Sequence, residues 1–149
     1  MKKFFVMLIL PIAIFMTGCS AMEEVSESLN YVTEAADYVE QVNQFANELP
    51  AVAEAAVNDM NSRIELEELL TEMQAEIGEY NLLEAPTMLE ELHNQVIEHN
   101  AELTKSIEVY LENIEAGTLR EDLLSEIGLL EEIAVYQDLL TEIKKISEQ

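Results

Sequence analysis

Tryptophan is absent from this 149-residue chain, cysteine occurs once, histidine twice, proline three times and glycine four times. Basic side chains are nearly as scarce, with seven Lys and Arg against 31 Asp and Glu and a formal charge of −24. Each shortage removes a class of function. A lone cysteine, Cys19, permits no intramolecular disulfide, and as a catalytic thiol it would need a histidine partner. The few glycines form neither a Gly-x-Ser-x-Gly turn nor a phosphate-cradling loop. Without a basic footprint the chain cannot track phosphates, so nucleic acid is excluded as a partner. No stretch sustains the two-residue alternation of a half-buried strand, which leaves an all-α protein.

Two histidines are too few for the familiar helical metal sites. Glu90-Glu91-Leu92-His93 holds one Glu-x-x-His, but a di-iron bundle needs two, and Val96 stands three residues before His99. His93 and His99 are six positions apart, roughly 240° around a helix, and do not share a metal unaided. They read as surface or seam histidines. Glu65, Glu68, Glu72, Glu76 and Glu79 form a carboxylate stripe at three- and four-residue spacing. Like charges so placed repel mildly, yet calcium draws six to eight oxygens from a turning loop rather than a straight helix face. A solvated face is the expectation. No residue is therefore singled out as catalytic, cofactor-binding or metal-binding, and no enzyme or cofactor is expected. Met22, Met60, Met73 and Met88 are scattered and read as packing filler.

One stretch does carry a signal. Lys2 and Lys3 precede an uncharged apolar run over 4–16, which ends in Met16-Thr17-Gly18-Cys19. A helix of that length reaches roughly 20 Å against about 30 Å of hydrocarbon, too short to span comfortably, and Pro11 interrupts it. Small Gly18 immediately before Cys19 makes this a lipoprotein signal, with residues 1–18 removed and Cys19 lipidated. A diacylglycerol supplies the two chains that stable anchoring requires. Residues 19–23 are then a short tether and 24–149 one domain, on the extracytoplasmic side of the cell membrane. Loss of Lys2 and Lys3 leaves the remaining chain still more acidic, which favours divalent cations, basic peptides or basic proteins over anionic surfaces.

Helical periodicity begins almost at once. Val25, Leu29, Val32, Ala36 and Val39 mark a seam, with Tyr31, Tyr38 and Phe45 as an aromatic stripe beside it, suited to a core or an interface. Pro50 should end this helix near Leu49, and a short second helix covers 51–57. Capping-box patterns at Ser62-Arg63-Ile64-Glu65, Thr87-Met88-Leu89-Glu90 and Thr118-Leu119-Arg120-Glu121 mark three further starts. Gly117 closes the longest helix as its C′ residue. Four main helices over about 24–49, 63–80, 88–116 and 129–147, plus short extra ones, suggest an antiparallel bundle. A homodimer pairing the first helix across chains is left open.

The residues Glu23-Glu24-Val25, Leu29-Asn30-Tyr31-Val32, Glu34-Ala35 and Phe45-Ala46-Asn47-Glu48-x-Pro50 after the cysteine resemble a family of small Gram-positive lipoproteins. That family is a domain of unknown function. The likeness continues through Ala56-Val57-Asn58-Asp59 and Leu92-His93 to the last helix. It implies a lipid-anchored exported protein and brings no activity with it. The expected role is a non-enzymatic protein-interaction or structural component held at the envelope through Cys19. The alternative is an acidic buffer or sensor for divalent cations or cationic peptides. Cys19→Ser should shift the protein from the membrane fraction to the medium, or leave it unprocessed. An unchanged membrane fraction on immunoblotting would contradict the anchor.

Overall fold

A computed structural model describes residues 19–147, with side chains from Leu29 onward except at positions 137, 140, 144, 146 and 147. The signal over 1–18 and the side chains of Cys19, Met22 and Val25 lie outside the described residues. Five helices follow in order: α1 Cys19–Ala56, α2 Met60–Tyr80, α3 Glu90–Ala116, α4 Leu123–Glu126 and α5 Leu129–Ser147. No strand occurs among the described residues. Helices α1, α2, α3 and α5 form an up-down-up-down bundle: α1 packs beside α2 and α5, and α3 closes the square from the other diagonal. The fold is the expected all-α antiparallel bundle.

The core confirms the helical periodicity and corrects its phase in α1. Tyr31, Ala35, Tyr38, Val42, Phe45 and Leu49 are buried, while Leu29 is 59% exposed and Val32 is only half-buried. The aromatic stripe is thus the seam itself; of the aliphatic line, Leu29, Val32 and Ala36 run along its margin, while Val39 is buried with the stripe. Aromatic side chains remove more area from water than Val or Ala, so they take the centre of the interface. Leu66, Leu70, Met73, Ile77 and Tyr80 face inward from α2; Leu92, Val96, Leu103, Ile107, Tyr110 and Ile114 do so from α3. From α5 come Leu129, Ile133, Tyr136 and Ile143. Of the methionines read as filler whose side chains are described, Met73 is buried, and Met60 and Met88 are 65% and 72% exposed.

Two boundaries differ from the sequence expectation. Helix α1 starts at Cys19 and takes in residues 19–23. It also continues through Pro50 to Ala56, 38 residues or roughly 57 Å. A mid-helix proline costs about 3 kcal/mol through its missing donor and ring clash. Pro50 is exposed, however, while Leu49, Ala53 and Ala56 on the inner face are buried. Packing of that face carries the helix past the proline, and the separate helix expected over 51–57 merges into α1.

The three capping boxes are not used. Helix α2 is capped by Asp59, whose carboxylate accepts from the Ser62 amide at 2.8 Å and from the Ser62 hydroxyl at 3.1 Å. A carboxylate suits the positive helix end better than a serine hydroxyl does, so the start moves forward by one turn. Those two hydrogen bonds, the amide's first, pull the Asp59 pKa down. Helix α3 has Leu89 at its N-cap with no side-chain cap; Leu89 is buried, and its burial fixes the entry. Thr118 points backward, donating to Asn113 Oδ1 at 2.7 Å, and so closes α3 rather than opening α4. Gly117 ends α3 as expected, at φ 68°. Arg63 donates to the Ala56 and Val57 carbonyls at 3.3–3.4 Å, placing a cation at the negative end of α1. Asp59→Ala is expected to lower the urea midpoint, whereas Thr87→Ala leaves it unchanged. Equal losses would mean that the threonine box contributes after all.

Candidate functional site

A concave groove runs between α1 and α2. One part, of about 390 Å³, has Gln41, Gln44 and Glu48 on the α1 side and Glu72, Ala75 and Glu76 on the α2 side. Phe45, Leu69 and Met73 form its floor. A second part, of about 320 Å³, shares Gln41 and Glu76 and continues past Glu34, Asp37 and Glu79 to Tyr38, Tyr80 and Leu83. The two form one trough with acidic rims and an apolar and aromatic bottom. Three carboxylates stand on each side, and no basic residue lines it. Of the carboxylate stripe read from sequence, Glu72, Glu76 and Glu79 reach the trough, while Glu65 and Glu68 lie outside it, exposed to solvent. Among the described residues no group of three or more His, Cys, Asp or Glu side chains is placed to hold a metal ion.

The two tyrosines at the bottom of the trough belong to a buried polar layer. Tyr38 and Tyr80 stack with centroids 4.4 Å apart and planes 28° apart. Tyr38 and Tyr136 both donate to Oδ1 of Asn100, the latter at 2.7 Å, and Asn100 Nδ2 donates to Asn81 Oδ1 at 2.6 Å. Asn100 is fully buried. About two turns toward the start of α1, Tyr31 pairs with the Tyr80 hydroxyl at 2.9 Å and with Nδ1 of His93 at 3.1 Å. His93 lies edge-on to Tyr31 and tilted over Tyr80, with centroids at 5.6 and 5.3 Å. Every buried side-chain polar atom among the described residues finds a hydrogen-bond partner.

These environments set the ionisation states. Burial raises the hydroxyl pKa of Tyr31, Tyr38, Tyr80 and Tyr136, and pushes that of Tyr110 up to about 12. All remain neutral at any physiological pH. Burial lowers the pKa of His93 from its ordinary 6.5. The ring is then neutral, and in its Nε2-protonated tautomer it can accept from Tyr31 while Tyr31 accepts from Tyr80. His93 is therefore a core histidine, a role that sequence spacing could not distinguish from a surface one. His99 sits apart, half-buried, 3.5 Å from Glu132 and edge-on to Tyr136. The structure does not bring the two histidines together.

Chemically, the trough can attract cations and cover an apolar side chain. It offers carboxylates and amides but no nucleophile paired with a base. The stripe Tyr31, Tyr38 and Phe45, equally suited by sequence to an interface, is consumed by the chain's own core. Spacing along α2 alone marked half of the acidic rim; the other half needed the pairing with α1.

A protonated His93 would have to hold its charge among tyrosine rings. Because its folded pKa lies below the unfolded 6.5, the unfolded chain takes up a proton first as pH falls through that value. Stability is thus complete above about pH 6.5 and declines below it, levelling off once the folded form also titrates. In urea titrations from about pH 7.5 to about 5.5, the native protein should lose more stability than the His93→Gln variant. Parallel curves would remove His93 as the cause.

A family model described as "Family of unknown function (DUF6376)" matches residues 31–146. A Bacillus subtilis (strain 168) protein named uncharacterized lipoprotein YybP is 37% identical over 131 residues, 88% of each chain. No solved structure matches.

Proposed function

The chain belongs to the DUF6376 family of unknown function, and from that premise we propose a non-enzymatic, lipid-anchored binding protein of the outer face of the cell membrane. Its α1/α2 trough would receive a basic, partly apolar segment of another protein. The observation that carries this reading is the form of the trough: two opposed acidic rims over a floor of Phe45, Leu69, Met73 and the stacked tyrosines. The location is supported by the Met16-to-Cys19 signal and by the lipoprotein name of the Bacillus relative.

Charge and floor serve different steps of recognition. Opposed like charges raise the local concentration of a cationic partner and speed its encounter. Burial of an apolar side chain between Gln41 and Met73 would then supply residence, since rim charges affect arrival more than dissociation. A peptide fits this arrangement better than a divalent ion, which would require oxygens converging on one point at 2.3–2.6 Å.

The test is calorimetry on the soluble domain from Ser20 onward, with a Lys-rich amphipathic peptide, and separately with calcium and magnesium. Saturable peptide binding is expected, weakened about tenfold or more by the double change Glu72→Lys and Glu76→Lys, a loss of about 1.4 kcal/mol. Glu65→Lys and Glu68→Lys should have a much smaller effect. No saturable peptide heat, or equal losses from both pairs, would overturn the assignment of the trough. Saturable heat with the metals alone would favour a cation buffer instead.

A further inference from the structure

The bundle's topology decides which of its ends lies near Cys19. Tyr31 meets Tyr80, so the end of α2, the α2–α3 loop over 81–89 and the start of α3 lie beside the early part of α1. Helix α5 runs antiparallel to α1, with Tyr136 level with Tyr38, so its last turn comes to the same end. Two apolar side chains of the α2–α3 loop are thrown into solvent there, Leu82 at 83% and Met88 at 72% exposure. Their neighbours Leu83 and Leu89 turn inward. The loop is thus anchored to the core through Leu83, Ala85 and Leu89 and presents Leu82 and Met88 outward.

We infer that this loop is a membrane-contact surface, with Leu82 and Met88 inserted at the level of the lipid headgroups. The inference rests on the reading of Cys19 as lipidated. Helix α1 runs unbroken from Cys19, placing the anchor about 18 Å along the axis from Tyr31. A lipid there is a single-point attachment, about which the bundle leans. Leaning toward α2 and α3 brings the loop onto the surface that already holds the lipid. Lys144 and Lys145, two of the five basic residues after the signal, fall in the last turn of α5 at this end.

Electrostatics alone would not bring this end down, because Glu84 lies in the loop and Glu90 and Glu91 directly follow it. The tether changes the problem: contact becomes intramolecular, and a pair of apolar side chains suffices where a free protein would need many. A comparable exposed pair, Met60 and Ile64 at 65% and 51%, lies at the opposite end, where α2 begins. It provides an internal control of the same chemistry beyond reach of the bilayer.

The chain has no tryptophan, so a single one reports its own depth. The lipidated protein, purified from membranes, is reconstituted into phosphatidylglycerol and phosphatidylethanolamine vesicles whose acyl chains are brominated near the headgroup. Leu82→Trp and Met88→Trp should each lose more than half of their emission, whereas Met60→Trp and Ile64→Trp keep theirs. All four positions are exposed, so the fold tolerates the replacement, and circular dichroism verifies it. Unquenched emission at 82 and 88 in protein that floats with the vesicles overturns the contact and leaves the anchor standing. A blue shift at 82 without quenching also overturns it, by assigning the loop to a protein neighbour. Equal quenching at all four positions overturns the orientation. Protein that fails to float removes the anchor reading and this inference with it.

Discussion

The bundle turns on one carboxamide. Asn100, fully buried on α3, accepts from Tyr38 of α1 and Tyr136 of α5 and donates to Asn81 at the end of α2. Four helices thus meet at one side chain. The layers around it are built of Leu, Ile and Val, which would pack nearly as well after a shift of one turn. Asn100 would not tolerate such a shift: a slipped α3 would leave two tyrosine hydroxyls and its own buried amide unpaired, at about 1–3 kcal/mol for each buried group. A comparable apolar layer could match its stability. What the polar layer adds is register.

Register in turn fixes the surface. With Tyr38 held by Asn100 and Tyr80 held by Tyr31, the two rings stack across the α1/α2 seam and set how far apart those helices stand at the bottom of the trough. Rotating α2 by one residue, about 100°, would carry Glu72 and Glu76 away from Glu48 and Asp37. The opposed rims are therefore a consequence of the tyrosine contacts beneath them. The same contacts level Tyr31 with Tyr80 and so bring the α2–α3 loop to the end of the molecule that carries Cys19.

The parts of this architecture legible in the sequence are those decided within a turn or two of chain. Helices α3 and α5 and the Gly117 terminus follow from periodicity and from a residue that tolerates positive φ. Family membership was legible as well, from the residues around Tyr31 and Phe45. Local rules failed where a tertiary contact outweighed them. Pro50 is a strong local stop, but Leu49, Ala53 and Ala56 bury the face of the turn that contains it. The serine and threonine boxes were sound patterns, yet Asp59 was one turn ahead of the first, and Asn113 claimed the hydroxyl of Thr118. The polar layer was out of reach altogether. Its partners lie 19 to 62 residues apart, and nothing local distinguishes His93 and Asn100 from an interruption of the α3 seam.

The trough poses the question of why six carboxylates are allowed to face one another along a helix pair. Exposed like charges a helix spacing apart repel by only tenths of a kcal/mol in water, and salt reduces this further beyond about 8 Å. Burial of one Phe or Leu side chain is worth about 1.5–3 kcal/mol, so Phe45, Leu70 and Met73 hold α1 to α2 against the whole of it. Acidity is thus inexpensive here, and the number of carboxylates says little about function. The distribution says more. Glu65 and Glu68 show how the stripe looks when it merely faces solvent, with no partner row and no apolar floor. At Glu72, Glu76 and Glu79 the same stripe gains an opposing row from α1 and half-buried Leu69 and Leu83 below. A solvated face requires neither feature. A cationic side chain with an apolar stem, as in lysine or arginine, uses both at once.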